Sequence, residues 1–210
     1  MKKNNIFVLK KLLHKLNPWK TFFSSFCLYC FLETKSQQNS KANNDLPNYR
    51  ISQVKNYIKG KNYNQDLAIF INFRIPSNRF RFFIYDLKNN KVLEKAIVSH
   101  GSGSVIKGSK ELKFSNIENS YQSSLGKYVI MNSYVGTFGK SYRLKGLDKT
   151  NSNALKRAIV LHSYHCIPDT ETQNPACLSL GCPMLSPQFF KITANYIDRS
   201  EKKILLYAFY

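Results

Sequence analysis

Apolar residues fall along this chain in short runs parted by polar, glycine-containing stretches, and their spacing predicts strands more often than helices. Leu67 to Phe73 is continuously apolar, the pattern of a strand buried on both faces. Phe80 to Leu87 and Val92 to Ser99 flank Lys88-Asn89-Asn90-Lys91, two β-rich runs around an Asn-containing turn, which predicts a hairpin. Further strands are expected at Lys127 to Met131, at the alternating run Ser141 to Leu147, from Ala158 to His162, and in the final run Lys203 to Tyr210. Helical spacing is confined to the flanks. Asp45-Leu46-Pro47 opens a helix to Lys59, with Ile51, Val54 and Ile58 on one face and Gly60 as its stop. Ser186-Pro187 reads as an N-cap and N1 proline, with Phe189, Phe190, Thr193 and Ile197 facing inward, and residues 151 to 157 suit one or two helical turns. The sum is a mainly β, sandwich-like domain of six to eight strands with two or three peripheral helices.

Charge and the N-terminal pattern set that domain's limits. The chain has 210 residues and a formal charge of +20, from 32 Lys and Arg against 12 Asp and Glu, and six of the lysines lie in the first twenty residues. Behind that basic leader, residues 21 to 32 form an uncharged, largely apolar run. It is short for a spanning helix and has the form of an export signal, so residues 1 to 32 are expected to be a signal peptide or an N-terminal membrane anchor. No small-x-small cleavage site stands out, which leaves removal and retention both open. Residues 33 to 44 read as a polar linker, and 45 to 210 as the folded domain. Export would place the domain where disulfides form. The remaining basic residues are scattered and no DNA- or RNA-binding motif occurs. The charge therefore suits an anionic cell envelope, and no nucleic-acid partner is expected.

Candidate chemistry is concentrated between Arg157 and Leu185. An apolar strand ends in His162, and Cys182 sits in a Gly-Pro-bounded turn, the parts of a thiolate nucleophile and its base. A neighbouring imidazole can hold such a thiol as an ion pair, and a Gly181-Cys182 turn can aim backbone N–H groups at a developing oxyanion. No acidic residue stands beside His162, so a backbone carbonyl or the Ser163 hydroxyl is expected to orient the imidazole. A buried structural role is the competing reading of Cys182. His162, His165, Cys166, Cys177 and Cys182 could alternatively bind zinc, though their spacing fits no familiar finger; a Cys166–Cys177 disulfide closing the loop before the nucleophile is the stronger expectation, and no metal is assigned. The Gly/Ser-rich tract from His100 to Ser104 is either a turn or a backbone anion cradle.

Seven segments, taken in order, resemble the L,D-transpeptidase catalytic domain of the YkuD-like superfamily, in the branch whose cysteine motif is followed by proline. They are Tyr85-Asp86-Leu87, Ser99 to Ser104, Phe114-Ser115-Asn116, Ser123 to Tyr128, Arg143 to Asp148, Arg157 to His162 and Ser179-Leu180-Gly181-Cys182-Pro183. The resemblance implies an L,D-transpeptidase of the Gram-negative periplasm that needs no cofactor. Such an enzyme attacks the L-centre carbonyl of the diamino acid in a peptidoglycan stem peptide, releases D-alanine and passes the acyl group to an amine. That amine could be on another stem peptide or an envelope protein; water as acceptor would make a carboxypeptidase, and loss of chemistry would leave a wall-binding module. Carried over by position, Cys182 is the nucleophile, His162 the base and Gly181 part of the oxyanion hole, with Ser163 beside the base. His100, Ser115, Asn116, Ser124, Ser179 and Arg143 line the substrate cleft; for Arg143, as for Tyr128 and Tyr134, sheet packing is the first alternative. Two departures stand out. Cys177-Leu178 occupies the place of the branch's usual Gly-Arg, which removes a guanidinium suited to a substrate carboxylate. Ser163-Tyr164 follows the histidine where glycine is more usual, which would narrow the site.

Overall fold

The structure is a computed structural model that describes residues 45–210; the expected signal or anchor and the polar linker lie outside the described residues. Helix α1 (Asn48–Ile58) leads into β1 (Leu67–Asn72), β2 (Phe82–Asp86) and β3 (Lys91–Ala96). Then follow β4 (Gly126–Gly136), β5 (Gly139–Gly146), β6 (Val160–Ser163), β7 (Met184–Leu185), helix α2 (Pro187–Asp198) and β8 (Leu205–Phe209). The mainly β expectation is met: eight strands form one sheet that curls towards a barrel, in the order β3-β2-β1-β8-β4-β5-β6-β7.

Two parallel pairings depart from the hairpin pattern. β8 lies between β1, to which it runs parallel, and β4, to which it is antiparallel. The two-residue β7 runs parallel to β6, with His162 opposite Met184. Residues 151–157, expected as one or two helical turns, form hydrogen-bonded turns, with the Arg157 N–H donating to the Asn153 carbonyl at 2.8 Å; they follow the 3-10 turn Lys149–Asn151, which is closed by a reciprocal bond pair between Asp148 and Asn151.

Strand alternation explains why the middle strands are apolar throughout. In β1, Ile69 and Ile71 enter the principal core while Ala68 and Phe70 enter a second cluster on the other face. β8 divides in the same way, Leu206 and Ala208 against Leu205, Tyr207 and Phe209. Each large side chain buried this way contributes about 1.5–3 kcal/mol. Helix α1 covers the second cluster through Ile51, Val54 and Ile58, and its Arg50 donates to the Tyr207 hydroxyl at 2.6 Å. Helix α2 covers the principal core with Phe189, Phe190 and Ala194; the Phe189 ring meets Phe82 edge-on at 5.9 Å. A third cluster, Ile97, Ile167, Ala176 and Met184, packs with Cys166 and Cys177 and ties the loop before the nucleophile turn to the sheet.

The start of α2 is set by Ser186, whose Oγ accepts from the Phe189 N–H at 3.1 Å, while Pro187 at N1 needs no partner. The same hydroxyl donates to Asp169 in the 164–177 loop. Ser186→Ala is therefore expected to cost about 1–2 kcal/mol, by urea denaturation, for the lost cap and loop contact, with Ser186→Thr recovering most of it.

Candidate active site

Cys182 is the free cysteine among the described residues, half-buried against the principal core. Its Sγ accepts from the Val160 N–H at 3.4 Å and faces the Ala158 carbonyl at 3.7 Å. Ala158 holds φ at +52°, a strained value for an alanine, two residues before β6 begins. Behind the nucleophile, Ser99 braces the backbone: its Oγ donates to the Cys182 carbonyl at 3.1 Å and accepts from the Met184 N–H at 2.8 Å.

The turn before Cys182 is shaped by Gly181, at φ +117°. A Cβ there would meet the Gln122 carbonyl at 2.9 Å. The Gly181 N–H is already taken, donating to Ser179 Oγ at 3.1 Å. Of the two amides expected to form an oxyanion hole, the Cys182 N–H is the one with no partner among the described residues. Pro183 follows and has no N–H.

His162 is 2% exposed on β6, on the face opposite Leu161. Its Nδ1 lies 3.0 Å from the Ser163 carbonyl; because a carbonyl only accepts, Nδ1 carries the proton and Nε2 keeps a lone pair. Of the two orienting groups expected, the structure uses the backbone carbonyl. The Phe138 ring, from the β4–β5 turn, stacks on the imidazole at 4.2 Å, and Tyr164 meets Phe138 edge-on at 6.0 Å. No hydrogen bond joins His162 to Cys182, although Val160, two residues before the histidine, touches the sulfur. The expected imidazolium–thiolate pair is thus not formed. Burial pushes the His162 pKa down and the Cys182 pKa up, so both rest uncharged at neutral pH.

The Gly/Ser tract turns out to be a backbone brace, because its amides are used within the protein. Gly101 donates to Ser123 Oγ at 3.0 Å, Ser102 to the Ser179 carbonyl at 2.7 Å, Gly103 to the Tyr121 carbonyl at 3.0 Å and Ser104 to the Gly101 carbonyl at 2.9 Å. The amides of Gly101 to Ser104 are therefore not free to cradle an anion. His100, within it, is buried beside Arg81. The Arg81 Nη2 donates to His100 Nδ1 at 2.8 Å, and its other bonds go to the Val98 and Ile75 carbonyls. Desolvation and then the Arg81 charge lower the His100 pKa to about 4; desolvation lowers that of Arg81 to about 9.

The other expected cleft residues separate. Asn116 commits its amide to the 149–153 turn, donating to the Lys149 carbonyl and Ser152 Oγ and accepting from the Asn153 N–H. Ser124 Oγ pairs with the Tyr128 hydroxyl at 2.7 Å. Ser115 and Ser124 both meet Arg157, whose Nη1 donates to the Ser115 carbonyl at 2.8 Å and Ser124 Oγ at 3.3 Å. Arg143 is exposed, lies over the Tyr134 ring at 4.2 Å and pairs with Val160 in the ladder, on the His162 side of the sheet. Cys166 and Cys177 are joined by a disulfide with Cα atoms 6.1 Å apart, so neither is available to a metal. Among the described residues no cluster of three or more His, Cys, Asp or Glu side chains could hold one. Arg81, Ser99, Phe138 and Arg157 were not among the site residues expected from sequence. Ser99 and Arg157 stood inside quoted motifs, but nothing in a linear pattern told their side chains from packing.

Two outcomes follow from the histidines. His100 has its folded pKa depressed, so the unfolded chain takes the proton first as pH falls. Stability is complete above pH 6.5 and is lost between about 6.5 and 4. The loss from this residue is on the order of 3 kcal/mol. In His100→Gln that part of the slope should vanish from urea denaturation at pH 7 and pH 4.5. For His162, Phe138→Ala admits water to the imidazole, and its pKa should rise towards the ordinary value in an NMR titration.

No curated protein matches the sequence. Among solved structures, the chain is similar to the avibactam carbamoyl enzyme of Ldtfm (14% identity, TM-score 0.43, 70% of this chain and 50% of that one). It is similar to an L,D-transpeptidase from Mycobacterium smegmatis (13%, 0.40, 69% and 59%). A third is the helical cell shape determining protein Pgp2 from Campylobacter jejuni (12%, 0.45, 78% and 55%). The chain thus spans about half to three-fifths of the length of these structures. The family model of the L,D-transpeptidase catalytic domain matches residues 38–209, most of the sequence, and the chain belongs to that family.

Proposed function

We propose that this protein is a cysteine acyltransferase acting on peptidoglycan stem peptides, with Cys182 as nucleophile and His162 as base. The observation that carries the reading is the free Cys182 thiol at the Gly181 turn, with its own N–H unpartnered beside it. His162 Nε2 accepts the thiol proton as sulfur attacks the L-centre carbonyl of the diamino acid. The Cys182 N–H faces the oxyanion, and the tetrahedral adduct collapses to a thioester as D-alanine leaves with a proton from the imidazolium. An acceptor amine then attacks the thioester, loses its proton to His162 and releases the thiol. Transfer requires Nε2 to come within hydrogen-bond reach of Sγ, a contact that active sites commonly complete only with substrate bound.

The uncharged resting pair suits this sequence of events, because a neutral imidazole can accept the proton at neutral pH. Export to the periplasm of a Gram-negative bacterium by the N-terminal segment is part of the proposal; the Cys166–Cys177 disulfide supports an oxidising compartment. Water in place of the amine gives an L,D-carboxypeptidase with the same donor chemistry.

The test uses purified protein with disaccharide-tetrapeptide, read by mass spectrometry beside Cys182→Ala. D-alanine release that falls to background in the variant is expected, with a cross-linked product for an amine acceptor and tripeptide for water. No release by folded wild-type protein whose Cys182 still reacts with iodoacetamide would overturn the donor chemistry and favour a wall-binding role. In kcat/KM against pH, the acid limb should lie below 6.5, set by His162, and the alkaline limb above 9, set by the buried thiol.

A further inference from the structure

We propose that Arg157 is the electrostatic partner of the nucleophile, a positioning residue whose guanidinium stabilises the Cys182 thiolate as it forms. The inference rests on Cys182 being the nucleophile.

Arg157 closes the turn before β6, and its guanidinium lies between the nucleophile turn and the 115–124 segment. Nη1 donates to the Ser115 carbonyl and Ser124 Oγ; Nη2 donates to the Gln122 carbonyl and, at 3.5 Å, to Ser120 Oγ. All four acceptors are neutral oxygens, so the positive charge is held in place without being cancelled. The same Nη2 lies 3.3 Å from the point a Cβ on Gly181 would occupy, which brings the charge to the residue before the nucleophile. A half-buried cation in a site partly closed to water acts more strongly on a neighbouring charge than it would in solvent.

The titratable groups around Cys182 are Arg157, Tyr128 from β4 and His162 on β6. Burial raises the thiol, and the groups that draw it back down are the Val160 N–H and Arg157. The coupling is mutual, since Tyr128 and Cys182 hold up an Arg157 pKa that burial lowers. His162 makes no hydrogen bond to the thiol in this arrangement. The two roles therefore divide: His162 takes the S–H proton, while Arg157 stays protonated throughout and lowers the energy of the sulfur anion left behind.

The measurement is iodoacetamide alkylation of Cys182 across pH 5–10, in the full chain with its disulfide intact, followed by peptide mapping that separates Cys182 from Cys27 and Cys30. Wild type is compared with Arg157→Gln and Arg157→Lys, with near-UV circular dichroism to establish folding. Arg157→Gln should move the alkylation pKa up by about one unit, which is about tenfold less thiolate at neutral pH. Arg157→Lys keeps the charge without the fork and should stay closer to wild type than to the glutamine variant. A glutamine profile that superimposes on wild type in folded protein overturns the proposal. So does a lysine profile displaced by a full unit, because it would make the guanidinium a bracket for the 115–124 segment and not a charge partner. If Arg157→Gln does not fold, the lysine profile alone decides by the same criterion. A shifted alkylation pKa without D-alanine release from tetrapeptide would leave this inference standing and remove the peptidoglycan reading, so the two fail separately.

Discussion

The site depends on three stretches of backbone packed too closely for side chains to separate them. Residues 99–104 bridge the approach to the nucleophile at Ser179 and press against 120–123, where a Cβ on Gly101 would fall 2.1 Å from the Tyr121 carbonyl. Ser123 finishes the stack, accepting from the Gly101 N–H and donating to the Gly181 carbonyl at 3.4 Å. Small hydroxyl side chains suit this work because they supply donors and acceptors at backbone range. The nucleophile turn is thus fixed from below by hydrogen bonds to its backbone.

Two cations stand in this brace on unlike terms. Arg81, 1% exposed, is satisfied by carbonyls and by His100 Nδ1, which leaves His100 with its proton on Nε2. Arg157 is half-buried, held by neutral oxygens, with its Nη2 3.3 Å from where a Cβ on Gly181 would sit. Burial discourages charge on the nucleophile and its base alike, so the apo site stores no ion pair that would have to be desolvated. Charge separation is left to the moment of reaction.

Much of the fold was legible because its signals are local. The uninterrupted Leu67–Phe73 run announced a strand buried on both faces, and Ser186-Pro187 announced a helix start. The two-residue β7 carries no periodicity, and the parallel pairings of β8 with β1 and β7 with β6 join residues far apart in the chain, so no local pattern reports them. The same limit held at the site. Cys182 and His162 were found by residue type and motif. That Asn116 is occupied by a structural turn, that the Gly181 amide is spent on Ser179, and that Arg157 binds Ser115 and Ser124 all depend on side-chain direction after folding.

The place of β8 has a consequence for how the protein is made. It follows every other strand in the chain yet lies inside the sheet, bonded to β1 on one edge and β4 on the other. During vectorial synthesis β1, β2 and β3 emerge early and can pair, but the sheet joins them to β4 only through residues 205–209. The sheet is therefore continuous only once residues 205–209 have been made.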